Sequence, residues 1–455
     1  MKKTSNFFQQ EIVDHLKNNG FVFSCSEIYN GIANGWDYGP LGVLVKNNIK
    51  KLWWDHFVTQ TSNAVGLDSS IILNSSVWKA SGHLDNFSDP LIDCKECHNR
   101  FRADKLIEEF TDESVSENTS FDELKKIIDK HHIVCPMCGK FNWTHIRNFN
   151  LMFATQMGVV DEVKNTVYLR PETAQGIFIN FMNIQRTMRL KLPFSVCQIG
   201  KAFRNEITPG NFIFRTREFE QMECEIFTYP DIKKDIFNEQ LNKIQNFLID
   251  VIGLNKDNIR LNEHKKEELS HYSSRTVDIQ YNFPHGYSEL WGIADRGDWD
   301  LTQHAKFSKA NLWYLDDKTN IKIVPHVIEP SVGVERLFYA LCCDVYEKQQ
   351  LEKDERIVMH FPKELAPIKF AVLPLVNKLS DEAYKIYQQL LKDNISSVYD
   401  SSGSIGKRYR RQDAIGTYYC ITFDYDSIND QCITIRFRDS MEQKRIKISE
   451  LQKYY

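Results

Sequence analysis

The chain is expected to fold as a large α+β domain followed by a smaller α/β unit. Three stretches carry that expectation. Residues 194–200 and 219–227 are apolar-rich runs of strand length. The polar segment 207–214 between them has Pro209 and Gly210 at a turn, so the two runs read as one hairpin. Residues 327–330 read as a further strand, and the small residues up to Gly333 turn it into an apolar helix. From residue 368 onward strand, helix and strand alternate over about one hundred residues, an ordinary domain size.

Composition narrows the class. A chain of 455 residues has length for two or three domains and a sizeable core. Its formal net charge of -4 argues against a histone-like polyanion binder, so any nucleic-acid contact has to come from local basic patches. The N-terminus leads into a polar amphipathic stretch with no apolar h-region, and no apolar run is long enough to span a bilayer. Neither a secretory leader nor a membrane anchor is expected. Eleven cysteines, an odd number in so long a chain, do not read as a secreted disulfide framework, and the expected compartment is the cytoplasm.

In chain order, residues 6–84 read as a helix, a turn around 31–42, a long helix over about 43–58 and a strand near 64–73. Pro40 suits the start of the long helix. Residues from about 90 to 148 read as an insertion whose middle, 108–130, is charged and poor in apolar residues. A second charged stretch, about 233–268, reads as helical. The large domain then spans residues 1–360. After a loop at 361–367, residues 368–374 read as a buried strand and 380–392 as a helix, so the last domain spans 366–455.

The first insertion holds two CxxC units, Cys94 with Cys97 and Cys135 with Cys138. Two such knuckles place four thiolates tetrahedrally around Zn²⁺, a structural role because no coordination position stays open. The intervening residues 98–134 exceed what a compact ribbon prefers, but loop-closure entropy grows only logarithmically with length. The alternative is four unrelated thiols, and Pro136 and Gly139 in the second knuckle favour zinc. The other cysteines (Cys25, Cys197, Cys224, Cys342, Cys343, Cys420, Cys432) sit in apolar runs and are expected in the core.

The chemistry concentrates around the hairpin. Phe203, Arg204, Asn205 and Glu206 end its first strand, and Phe214, Arg215, Arg217, Phe219, Glu220, Gln221 and Glu223 lead into the second. Arginine is always charged and forks onto phosphate oxygens, while an aromatic such as Phe219 can stack on a purine. A single Arg or Glu on a strand is ordinarily a solvated surface charge. The combination resembles motif 2, the ATP-binding hairpin of class II aminoacyl-tRNA synthetases. Downstream, Glu329, Ser331, Gly333 and Arg336 stand in a strand-turn-helix run that resembles motif 3, where small residues let a ligand approach the backbone. The runs 78–83, 102–106, 149–153, 168–178 and 289–296 are similar to signatures of glycyl-tRNA synthetase. The resemblance covers nearly the whole chain and matches the bacterial, homodimeric type of that family.

What the resemblance implies is specific. The fold is an α+β catalytic domain on the class II antiparallel sheet flanked by helices, with a four-cysteine insertion and a C-terminal α/β anticodon-binding domain. Glycine's carboxylate attacks the α-phosphate of ATP, pyrophosphate leaves, and the glycyl group passes to the terminal ribose of tRNA(Gly). Arg204 at the α-phosphate and Arg336 at the γ-phosphate are the catalytic residues. Glu206 meets the adenine amino group, Phe219 stacks on adenine, and Arg215 and Arg217 lie near the triphosphate. Asn205, Phe214, Leu290 and Gly333 complete the ATP contacts, and Glu289 holds the Mg²⁺ that accompanies ATP. Glu172, Glu329 and Ser331 form the glycine pocket, with Glu220, Gln221, Glu223 and Gly333 near it and Arg102 reaching glycine or its adenylate. Excluding a larger amino acid needs only close walls, so no editing domain is required. Residues 43–73 match motif 1, which builds the dimer interface, with Ser75 about where the family has a proline. In the last domain Lys407, Arg408, Tyr409, Arg410 and Arg411 are expected to contact tRNA, the plainer reading being a solvated charged loop. The alternative function is a non-catalytic, synthetase-like nucleic-acid-binding accessory protein. The presence of Arg204, Glu206, Phe219 and Arg336 speaks against it.

Overall fold

The hairpin forms part of a seven-stranded sheet, between its central strand and one short edge strand. The computed structural model describes residues 2–111, 115, 119–158, 165–266, 269, 270, 272–351 and 355–455. The sheet strands are β1 (Ala64–Gly66), β2 (Phe194–Phe203), β3 (Glu218–Thr228), β4 (Ile259–Glu263), β5 (Arg275–Phe283), β6 (Gly286–Gly297) and β7 (His326–Gly333). Their order is β4-β5-β6-β7-β3-β2-β1, antiparallel throughout except for the short pairing of β1 with β2. Three helices pack on one face or edge: α1 (Lys2–Asn18), α2 (Pro40–Trp54) and α3 (Val334–Val345).

Alternation along β3 explains which face does what. Met222, Cys224 and Ile226 join a core with Val45, Ile49 and Trp53 of α2 and Leu337, Phe338 and Leu341 of α3. The intervening Phe219, Gln221, Glu223 and Glu225 point to the opposite face, because successive side chains in a strand alternate. That opposite face is apolar only at one end, where Phe194, Val196, Phe227 and Val327 pack with Phe178, Phe181 and Leu301. The rest of it carries polar side chains.

Several expectations are corrected. The strand expected over 64–73 is two pieces in different sheets, β1 and Ile72–Leu73. A side chain at Gly66 would lie 2.3 Å from the Trp54 ring, which fixes how closely β1 passes the end of α2. Ser75 begins the helix Ser75–Ala80, whose first turn is capped by the Asn74 side chain accepting from the Ser76 N–H at 2.9 Å. The stretch 233–268 is not helical throughout. The helix Lys233–Asn246 gives way to β4, the edge strand of the central sheet, after Gly253 takes a φ of +81°. Residues 267 and 268 of that stretch lie outside the described residues. In the first insertion, helices Ala103–Thr111 and Phe121–Lys130 frame the charged middle, of which 112–114 and 116–118 lie outside the described residues. Cys25 and Cys432 are half-buried and do not join the core.

The C-terminal unit contains β8 (Phe370–Pro374), β9 (Ser397–Tyr399), β10 (Tyr419–Phe423), β11 (Cys432–Phe437) and β12 (Gln443–Lys447), ordered β9-β8-β10-β11-β12. Helices α4 (Ser380–Lys392) and α5 (Ile405–Ile415) cross between the parallel strands β8, β9 and β10. The alternation of strand and helix stops there: β11 and β12 are antiparallel, since residues 424–431 are too few for a parallel crossover.

This unit docks on the strand Glu355–Met359 through one buried charge cluster. Arg356 donates from Nε to Asp413 Oδ2 at 2.8 Å and also bonds the Arg438 carbonyl. Asp413 accepts two further bonds from Arg436, at 2.8 and 3.0 Å. Gly416, at φ +78°, lets the chain pass Phe361, whose ring would stand 2.5 Å from any Cβ there. Asp413→Ala would leave two buried guanidinium groups without a counter-charge. It is expected to destabilise the protein by about 3–5 kcal/mol, read as a lower midpoint in urea denaturation. An unchanged midpoint would mean that water replaces the carboxylate at no cost.

Candidate active site

The polar face of the central sheet floors a cleft of about 310 Å³, within the range of small-molecule sites. Its lining falls into a cationic group and an acidic group.

Arg204 follows the end of β2. Its Nε donates to the Pro171 carbonyl at 3.0 Å, and its guanidinium lies 5.4 Å from the Phe219 ring and 5.3 Å from the Phe87 ring. No carboxylate lies within ion-pair distance of it among the described residues, and its charge faces the cleft, where it helps hold the Glu289 carboxyl low. Arg336 sits in the first turn of α3, packed 4.3 Å above the Phe214 ring. Its Nη1 donates to the Glu289 carboxylate at 2.8 Å and to the Glu289 carbonyl at 3.0 Å. Glu206, Arg215 and Leu290 line the same cleft. Two fixed guanidinium groups, an aromatic face and an exposed carboxylate are the parts that a nucleoside triphosphate with a divalent cation requires.

The acidic group is built on β3, β6 and β7. Glu223 is buried; its Oε2 accepts from the Thr173 N–H at 3.0 Å, and its Oε1 accepts from the Ser331 hydroxyl at 2.8 Å. Gln221 Nε2 donates to the same Oε1 at 3.0 Å. Glu329 accepts from Arg296 Nη1 at 2.6 Å, and Asp300 receives Arg296 Nε and Nη2 at 2.7 and 2.9 Å. Glu172 lies 3.6 Å from His83 Nε2 and 4.0 Å from Arg296, and accepts from Gln175 at 2.8 Å. Behind them Glu225 is fully buried, and neither of its carboxyl oxygens has a hydrogen-bond partner among the described residues.

Burial and crowding set the protonation of these groups. Burial, with Glu223 and Glu172 adding to it and Arg296 opposing, pushes Glu329 up to about 8. Burial and then the neighbouring Glu329 push Glu225 well above the carboxylate range, so it stays neutral. Glu172 goes the other way: burial opposes its charge, but His83 and Arg296 hold it well below the usual range. Five carboxyl groups therefore crowd around Arg296, which pairs with Glu172, Asp300 and Glu329, with His83 beside Glu172. Such a site is short of positive charge and suited to an ammonium.

Four of the sequence-derived residues do not line this cleft. Glu220 points to the opposite face of β3, as alternation requires, and pairs with Lys46 at 2.7 Å and Lys50 at 3.1 Å. Arg217 donates to the Ala33 carbonyl at 3.3 Å, outside the cleft lining. Asn205 is also outside the lining, its N–H bonded to the Leu151 carbonyl at 2.8 Å. Arg102 is held between Asp89 at 3.1 Å and Asp104 at 2.6 Å and does not line the cleft. In the last domain, the run 406–413 is helix α5 instead of a loop. Arg408 is buried and donates to the carbonyls of Pro374 and Asp400, and the Tyr409 hydroxyl bonds Thr422 at 2.6 Å, so neither presents a free surface to RNA. Lys407 and Arg411 are exposed and Arg410 half-buried, with Arg411 paired to Asp400 at 2.6 Å.

The sequence reading did not assign Arg296, Asp300, His83 or Glu335. Arg296 ends the signature-like run 289–296, and the buried carboxyls Glu223, Glu225 and Glu329 on one face of the sheet call for a buried cation such as it supplies. Glu335 lines the cleft beside Arg336, but its partners come from distant segments and leave no local trace.

In the insertion the four cysteine sulfurs lie within 4.8 Å of one another. The closest pairs, Cys94 with Cys138 and Cys97 with Cys135, are 3.6 Å apart, too far for disulfides. Zn–S bonds of about 2.3 Å in a tetrahedron would place sulfurs roughly 3.8 Å apart, so the cluster fits that ion.

Comparison with known proteins agrees with this geometry. Residues 152–345 match the tRNA synthetase class II core domain (G, H, P, S and T), 369–455 the anticodon binding domain, and 111–151 the glycyl-tRNA synthetase insertion domain 1. The chain is 62% identical over 451 residues to a glycine–tRNA ligase of Ureaplasma urealyticum, covering 98% of this chain and 95% of that one. It is 62% identical over 444 residues to that of Malacoplasma penetrans (97% and 96% covered) and 56% over 450 residues to that of Clostridium acetobutylicum (98% and 97%). Among solved structures, a threonyl-tRNA synthetase RNA binding domain from Cryptosporidium parvum aligns with a TM-score of 0.65 at 16% identity, with 96% of each chain covered. A prolyl-tRNA synthetase from the same organism, bound to L-proline and AMP, aligns at 0.61 and 11%, covering 97% of this chain and 75% of that one. These two likenesses concern the fold alone. The chain belongs to the glycine–tRNA ligase family, with a class II synthetase core and an anticodon-binding domain.

Proposed function

We propose that the chain activates glycine with ATP and transfers it to tRNA(Gly), using the cleft described above. The observation that carries this reading is the juxtaposition of Arg204, which makes no ion pair among the described residues, with a pocket crowded with carboxyl groups. Glycine supplies both halves of the match, an ammonium for the acids and a carboxylate for the arginine. Because the attacking carboxylate is already an anion, the first step needs positioning and charge neutralisation instead of a general base. Arg204 steadies the carboxylate and the α-phosphate, Phe219 stacks on adenine beside Glu206, and Arg336, with Arg215 near, meets the phosphate tail. Phe214 and Leu290 back the nucleotide, and the Gly333 backbone allows its close approach. Glu289 is the residue that would hold the Mg²⁺ accompanying ATP, which would supply further neutralisation of phosphate charge. Glu172 and Glu329 receive the ammonium, while Ser331, Gln221 and Glu223 form the wall that leaves no room for a Cβ.

The link between the two groups is short. Arg204 bonds the carbonyl of Pro171, the residue before Glu172, so the nucleotide arginine and an ammonium ligand share one backbone segment. We also assign Zn²⁺ to Cys94, Cys97, Cys135 and Cys138 in a structural role. Homodimer formation through α2 and β1, a cytoplasmic location, and tRNA contacts by Lys407, Arg410 and Arg411 complete the proposal. No helix among the described residues is long and apolar enough to cross a membrane.

Three measurements check this reading. Wild-type protein is expected to catalyse glycine-dependent ATP–pyrophosphate exchange, and Arg204→Ala to lower it about a hundredfold or more while the fold survives. Exchange at the wild-type rate in that variant would remove Arg204 from its role. Glu172→Gln is expected to raise the KM for glycine about tenfold or more, with the KM for ATP nearly constant, because only the ammonium loses a charged partner. Equal effects on both substrates would make Glu172 a structural residue. Elemental analysis is expected to find about one zinc per chain, lost when Cys135 and Cys138 are replaced by Ser. Metal-free protein of equal activity and stability would overturn the zinc assignment.

A further inference from the structure

We infer that Lys46 is a positioning residue for ATP: its buried ammonium joins the strand that carries Phe219 to the helix that carries Arg336, and so sets the spacing of the nucleotide grip. The inference rests on the reading that the cleft activates glycine with ATP. Lys46 lies on α2, away from the cleft lining, and is only 4% exposed. Its Nζ is 2.7 Å from Glu220 on β3 and 2.7 Å from Glu335 on α3. The second oxygen of Glu335 accepts the backbone N–H of Glu220 at 2.9 Å, which closes the link between strand and helix. The ammonium also lies 4.0 Å over the ring of Tyr38, which meets Phe338 of α3 edge-on at 5.4 Å.

The neighbours of the two glutamates give this joint its consequence. Glu220 stands between Phe219 and Gln221, which both face the cleft, and Glu335 directly precedes Arg336. A shift of β3 against α3 would therefore change the distance from the Phe219–Arg204 pair to Arg336. Glu172 and Glu329 would keep their own partners, Gln175 and Arg296, so the ammonium ligands are disturbed less than the nucleotide grip even though Gln221 and Glu223 move with β3. Buried charges cost desolvation and are an inefficient source of stability, so a buried lysine between two carboxylates fits a geometric role. Lys50 serves as an internal control. It pairs with the same Glu220 at 3.1 Å from the same helix but makes no ion pair with Glu335.

The test is steady-state ATP–pyrophosphate exchange, with ATP and glycine varied separately, on wild type, Lys46→Met, Lys50→Met and Glu220→Gln. A misplacement of about 1 Å at a reacting phosphate can cost on the order of a hundredfold. Lys46→Met is expected to raise the KM for ATP about tenfold or more and the KM for glycine by clearly less. Glu220→Gln, which leaves no unpaired buried charge, is expected to shift ATP parameters in the same direction by less, and it carries the test if Lys46→Met does not fold. Lys50→Met is expected to behave like wild type. The inference is overturned if the KM values for ATP and glycine rise in proportion, if Lys50→Met matches Lys46→Met, or if both KM values are unaffected in Lys46→Met and Glu220→Gln. Absence of glycine-dependent exchange in the wild type would overturn the functional reading as well, whereas normal wild-type exchange with unaltered variants overturns this inference alone.

Discussion

The single guanidinium of Arg296 holds together a face that would otherwise repel itself. It reaches Asp300 and Glu329 at 2.6–2.9 Å and stands 4.0 Å from Glu172, with Glu223 and Glu225 on the same side of the sheet. Arg296, with His83 beside Glu172, cannot neutralise five carboxyl groups. The remaining strain is relieved by protonation, as at Glu225, and by hydrogen bonds, as at Glu223. A deficit of positive charge enclosed in a sheet is an unfavourable way to build a core. It becomes comprehensible when a small ammonium completes the site.

The same strands separate two tasks by simple alternation. On β3 the even-numbered residues 222, 224 and 226 pack against α2 and α3, and the odd-numbered 219, 221 and 223 face the ligand cleft. Stability and recognition therefore use different faces of one strand. The node of Lys46, Glu220 and Glu335 lies where the two faces are mechanically joined. The C-terminal unit uses the same device at the domain junction, where Asp413 accepts bonds from Arg356 and Arg436.

Much of this was legible in the sequence because the signals were local. The hairpin, the strand-turn-helix run ending in Arg336 and the paired CxxC units each lie within a few consecutive residues. The motif resemblance then assigned Arg204, Glu206, Phe219, Glu172, Glu329 and Ser331, all of which line the cleft. The errors arose where neighbours in sequence part company in space. Glu220 follows Phe219 in sequence but faces away from it. Arg408 and Tyr409 read as exposed basic and aromatic groups, yet helical periodicity turns them against β8 and β10. The 64–73 strand divides between two sheets, β1 pairing with β2 and Ile72–Leu73 with Tyr168 and Leu169, partners distant in sequence that leave no local signature. Arg296 went unassigned because its role depends on carboxylates supplied by three separate segments.

The charge deficit gives the account its most direct test, calorimetric titration of glycine near pH 7 in two buffers of different ionisation enthalpy. Burial, with Glu223, Glu172 and Asp300 adding and Arg296 opposing, raises Glu329 to about 8, so its carboxyl cluster holds a proton in the free protein at that pH. An arriving ammonium favours its charged form, so binding should expel a proton. The account predicts net proton release at pH 7 that fades as the pH passes about 8, where Glu329 is already ionised. Glycine binding with no proton release at pH 7, or with proton uptake, would contradict it.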